Sequence, residues 1–110
     1  MILLLLACAA IPPDCGPMCE VLTSRKGECL AVDGLDWSAA GYSDADDFRA
    51  ACETWAWESR ELEQDAGCRG ATDAICVERD AVLRDADFSC QELSEMDWNS
   101  SPHSWDTCDG

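Results

Sequence analysis

Large apolar side chains along this chain come in short helical rhythms divided by glycine-marked loops. The clearest rhythm is Phe48, Cys52, Trp55, Ser59 and Leu62, spaced four, three, four and three. That spacing places them on one face of a helix, which should run from Asp44 to about Asp65. Ser43 is its expected cap, with Asp46 as the capping-box partner. Asp44, Asp46 and Asp47 suit the positive end of the helix dipole, and Gly67 follows as an exit residue. An earlier helix is expected from Pro17 to about Lys26, with Gly16-Pro17 at its start and Gly27 at its left-handed end. Cys15, Cys19 and Leu22 would line one face of it. Glu28 to Val32 reads as a further helical turn or an irregular link.

Residues Asp33 to Tyr42 are loop-like, and Trp37 and Tyr42 should pin them to the core, since two exposed aromatics would waste burial. Another helix begins near Thr72, where Ile75, Cys76, Val82, Leu83 and Ala86 share a face. Phe88 falls off that stripe, and Ser89 with Glu92 forms a second capping box. A break near Asp87 is therefore expected, then a last helix from Cys90 to about Met96. One continuous helix over 73–96 is the alternative, because Cys90 and Leu93 stay in phase. The chain carries no strand-like alternation. The fold class predicted is all-α, a small disulfide-stapled bundle of three to four helices with an irregular middle loop and tail. The expected organisation is a signal-like apolar leader (1–7), a tether (8–13), a helical cysteine-rich domain (14–98) and a polar tail (99–110) tied back through Cys108.

Composition explains why such a bundle needs staples. Of 110 residues 47% are hydrophobic, but fifteen residues are alanine and nine are cysteine. Past residue 7 only twenty-two large apolar side chains remain, a thin core of the kind that small domains reinforce with cross-links or metal. Zinc sites take ligands in two close sets. Here only Cys15 and Cys19 are that near, and the lone histidine, His103, lies in the tail. Disulfides are the better account, and they imply an oxidising compartment. Neither metal nor cofactor is expected. The net charge of −16 argues against nucleic acid and anionic membrane surfaces as partners; a solvated acidic surface explains it more simply than a cation-binding role.

The odd ninth cysteine points to the N-terminus. Ile2 to Ala7 is apolar but far shorter than the ~20 residues that span a bilayer, and no basic residue precedes it, as a start upstream of Met1 would explain. Leu5-Leu6-Ala7-Cys8 resembles the lipobox of bacterial lipoproteins, in which the cysteine is lipidated and becomes the mature N-terminus. The resemblance implies that Cys8 is an anchor, and that Ala9 in place of an aspartate favours the outer membrane. Lipidation would leave eight cysteines for bridges: Cys15, Cys19, Cys29, Cys52, Cys68, Cys76, Cys90 and Cys108. Their connectivity is open, although Cys15 and Cys19 should reach different elements and Cys52 and Cys76 should staple helices. The alternative is a free or dimer-forming Cys8 in a degenerate leader. The spacing W-x4-Y-x5-F-x3-C-x2-W from Trp37 to Trp55 is similar to that of small cysteine-rich lipoproteins of environmental bacteria, and transfers no functional residue.

Motifs for chemistry are sparse. Glu58, Glu61, Asp80 and Asp85 read as solvated helix faces rather than a catalytic pair. Asp44 to Asp47 lacks the glycine and distal glutamate of a calcium loop. His103, Asp106 and Ser101 or Ser104 hold triad residue types without a scaffold. The closest cysteines are C-x3-C rather than the C-x-x-C of thiol redox enzymes. Trp57 alone stands out, about 180° around its helix from the apolar stripe, as a candidate partner contact. The expectation is a non-enzymatic, monomeric lipoprotein of the bacterial cell envelope, at the outer membrane or periplasmic face. It would meet the membrane through its lipid only, with an unidentified protein as a further partner. The alternative is a soluble, extracellular interaction module with Cys8 in a removed leader or a covalent dimer.

Overall fold

The computed structural model describes residues 11–99, which form helices and no strand. The elements are α1 (Cys15–Val32), a 3-10 turn (Trp37–Ala40), α2 (Ala45–Asp65), α3 (Ala71–Arg84) and α4 (Cys90–Glu95). Helix α1 is shared by the rest, packing on α2, α3 and α4. This is a small all-α fold stapled by disulfides.

Helix α1 departs from the sequence expectation at both ends. It starts at Cys15, two residues before Pro17, because the Cys15 N–H donates to the Pro12 carbonyl (2.9 Å) and the Asp14 N–H to Asp73 Oδ1 (3.2 Å). It then continues through Gly27 to Val32. Gly27 serves close approach instead of exit: a Cβ there would lie 3.3 Å from Trp37 Cζ2, so the missing side chain makes room for the indole. The exit comes at Asp33-Gly34, with Gly34 at φ 70°. The Leu35 N–H reaches the Leu30 carbonyl (2.8 Å) and the Gly34 N–H reaches that of Ala31 (3.0 Å), the paired bonds of a Schellman cap.

Helix α2 spans nearly the predicted residues, with a different cap. Asp44, not Ser43, accepts from the Asp47 N–H (2.8 Å), and Asp47 in turn accepts from the Ser43 N–H (3.0 Å). Phe48, Cys52, Trp55 and Ser59 are buried as the stripe predicts, joined by Ala56. The last position is corrected: Leu62 is 46% exposed and Glu63 is 6% exposed. On α3 the buried residues are Thr72, Cys76 and Leu83, while Val82 and Ala86, expected on that face, are exposed. Asp85 adopts an extended conformation (φ −67°, ψ 126°), which ends α3 and rules out one continuous helix. Ser89 and Glu92 then form the predicted capping box for α4.

Three disulfides join the helices. Cys15–Cys76 ties α1 to α3, Cys19–Cys52 ties α1 to α2, and Cys29–Cys90 ties α1 to α4. Cys15 and Cys19 thus reach different helices. They are four residues apart in sequence, on one face but a turn apart along the axis. Cys68 is also disulfide-bonded, and 4% exposed. Cys8 and Cys108, and with them the expected leader and the tail's return, lie outside the described residues.

Phe48 is the hub of the aromatic packing. Trp37, Tyr42 and Trp98 hold their ring centroids 5.3, 4.9 and 5.3 Å from its own, each pair worth about 0.5–1.5 kcal/mol beyond burial. The first two contacts pin the middle segment to the core. The third brings the chain beyond α4 back onto α2. Arg79 stacks over Trp55 at 4.8 Å and donates to the Trp98 carbonyl. Burial lowers its pKa, against the opposing charges of Asp97 and Glu78.

Candidate functional site

Helix α2 carries two faces with different tasks. The first is the buried stripe. The second holds Ala50, Glu53, Thr54 and Trp57, spaced three, one and three, which again share a side of the helix. These four residues and Ile11 line a shallow groove of about 340 Å³. Ala50 and Thr54 are exposed, and Trp57 is partly covered. Trp57 is therefore neither sealed by another helix nor bare. Its neighbour across the groove is Ile11, which itself packs against the core cluster. Glu53, the carboxylate of the described lining, is turned to Arg49 (Nε to Oε2, 3.5 Å).

Ile11 and Pro12 change the reading of the tether. Pro12 is fully buried, and its carbonyl accepts from Cys15. Ile11 and Pro12 are thus seated on the domain. In the sequence only the apolar character of Ile11 hints at this. A signal was present at Glu63, however: Ala56, Ser59 and Glu63 continue the spacing of the buried stripe better than Leu62 does. The Glu63 carboxylate accepts from the Thr72 N–H (2.6 Å). It caps α3 from a neighbouring helix, where Gly70 has no side chain to do so.

The other candidates are spread over the surface. Glu58 and Glu61 are exposed on α2, and Asp85 is exposed at the end of α3. Asp80 holds Arg84 Nε at 3.0 Å, which raises the arginine's pKa. Asp44 and Asp47 are occupied at the start of α2. Among the described residues no group of three or more His, Cys, Asp or Glu is arranged to hold a metal ion, and no helix is long and apolar enough to cross a membrane. His103, Asp106, Ser101 and Ser104 lie outside the described residues.

A hollow of about 510 Å³ between α1 and α2 is lined by Glu20, Asp46, Arg49 and Arg84 among others. Its arginines are engaged already, Arg49 by Glu20 at 3.6 Å as well as by Glu53. A smaller one of about 190 Å³ borders the Cys29–Cys90 bond, with Leu30, Leu35, Ala39 and Leu93 around it. What the arrangement offers is surface contact at Trp57 and cross-linked rigidity behind it. The class so defined is a disulfide-stapled, all-α domain with an aromatic groove at its N-terminal end. No family model, curated protein or solved structure matches the chain.

Proposed function

We propose that the protein is a non-enzymatic lipoprotein of the bacterial cell envelope, at the outer membrane or periplasmic face, in which Cys8 carries the lipid and the helical domain is displayed as a monomer. One observation carries the reading furthest: cystines occupy the interior where a larger protein would place aliphatic side chains. Cys15, Cys19, Cys52 and Cys76 are each 0% exposed. Such a core requires an oxidising compartment. The Leu5-Leu6-Ala7-Cys8 pattern and the odd cysteine count supply the anchor. The acidic surface keeps the domain soluble beside the bilayer, and the groove at Trp57 is its candidate contact surface.

The test is intact mass with thiol alkylation on protein made in a secreting bacterial host from the gene with its native upstream region, membrane and soluble fractions kept apart. The expected species is membrane-bound, begins at Cys8, carries lipid and has no alkylatable thiol. A soluble species that keeps Cys8, with one free thiol or as a disulfide dimer, would overturn the anchor and favour a secreted interaction module.

A further inference from the structure

We infer that the Ile11–Trp57 end of the bundle is its membrane-facing end, with the Trp57 indole seated at the lipid–water boundary of the bilayer. This rests on lipidation of Cys8 and adds an orientation to it.

Chain length carries the argument. Only Ala9 and Ala10 separate Cys8 from Ile11. Three Cα steps of about 3.8 Å span no more than about 11 Å. No slack can come from within the domain, because Ile11 packs on the core and Pro12 is fully buried. The headgroup zone on each side of a bilayer is roughly 5–7 Å deep. A lipid-bearing Cys8 therefore holds the Ile11 groove within about two headgroup depths of the hydrocarbon. The domain has no freedom to present its far end there.

The surface at this end suits that position. Ala50, Thr54 and Trp57 give it small and aromatic contacts, and Glu53 is drawn to Arg49. Indole rings favour the membrane interface, where the apolar ring and the polar N–H are both satisfied. The carboxylate of the described lining, Glu53, is paired with Arg49, which weakens the repulsion of this surface by anionic headgroups. The overall charge disfavours a second copy in the groove, since two chains of net charge −16 would have to meet.

The experiment uses the lipidated protein in phosphatidylethanolamine–phosphatidylglycerol vesicles with brominated acyl chains. The difference in emission between wild type and Trp57→Phe isolates Trp57. Brominated lipid should lower that component at least twofold relative to unbrominated vesicles, and should shield it from aqueous iodide. Circular dichroism of Trp57→Phe checks that the variant is folded. Should it unfold, Trp57→Tyr supplies the same difference with a larger, polar-tipped ring in its place. Protein that sediments with vesicles yet shows no lipid quenching overturns the orientation and leaves the anchor standing. Protein whose mass shows no lipid overturns the anchor, and the orientation with it. Shielding from iodide without lipid quenching assigns the groove to a protein contact and also overturns the inference.

Discussion

Two disulfides that close equal spans of chain make opposite ends of this molecule. Cys15–Cys76 and Cys29–Cys90 each have a sequence separation of 61 residues. In the chain-entropy account they constrain the unfolded state equally, by about 4 kcal/mol each. Their surroundings differ. Cys15 and Cys76 are 0% exposed, among Met18, Leu22 and Leu83. Cys29 is 9% exposed and Cys90 is exposed, beside Val32 (78% exposed) and Leu35 (51% exposed). The first bond is part of the core as well as a cross-link. The second is half in the core, with Cys29 buried at its edge and Cys90 exposed, and it holds a six-residue helix that buries Leu93 and is too short to persist unaided.

The sharpest way to break the comparison is reduction. Graded reductant followed by alkylation should label Cys29 and Cys90 first, with far-UV helicity nearly intact. Labelling of all cysteines should coincide with collapse of the helical signal. Helicity that survives full reduction would show that the apolar core suffices without staples. Pair deletions refine this. Cys15→Ala with Cys76→Ala should cost on the order of 1–2 kcal/mol more than Cys29→Ala with Cys90→Ala, since the former empties two fully buried positions and the latter one at the core's edge. Equal losses in urea melts would mean that burial adds nothing to the bond.

The two faces of α2 permit the same comparison with aromatic side chains. Trp55→Ala should destabilise by about 3–5 kcal/mol, as it empties the core and removes the seat of Arg79. Trp57→Ala should cost less than about 1.5 kcal/mol, roughly the value of a partly covered contact. Equal shifts in a denaturant melt would show that the groove side is as structural as the stripe.

The smallest effect lies at the 3-10 turn. Asp36 accepts from Ser38 Oγ (2.5 Å) and the Ala39 N–H (3.3 Å), and these bonds hold its pKa below the ordinary aspartate value. A depressed folded pKa contributes stability at pH above the unfolded value, lost as pH falls through the folded one. An NMR titration should place the Asp36 midpoint below that of a free aspartate, and Ser38→Ala should move it upward. An unchanged midpoint would remove Ser38 as the principal cause.

Much of the fold was legible because its signals act within a turn or two. The extent of α2, the break after α3 and the Ser89–Glu92 box follow from side chains three or four residues apart. The lipobox-like resemblance at Cys8 is likewise local, and rests on the sequence alone. Gly27 was misread for the opposite reason. A glycine at the end of the polar run Thr23 to Lys26 looks like a helix exit until Trp37, ten residues on, is seen lying against it. The partner of Glu63 was likewise out of reach, since the Thr72 N–H it accepts from lies nine residues on, in α3. At the candidate site, the face of Trp57 was visible in the helical phase, while the groove it shares with Ile11 was not.

Composition and periodicity by themselves determined that this chain forms helices, that its apolar core is thin, and that cysteines must reinforce it. Only the tertiary structure decided which cysteines meet. Loop-closure entropy grows with the logarithm of span, so alternative pairings differ little in chain cost. The choice falls to geometry, to which helix faces approach closely enough for two sulfurs to bond, and that depends on the packing of all the helices around α1.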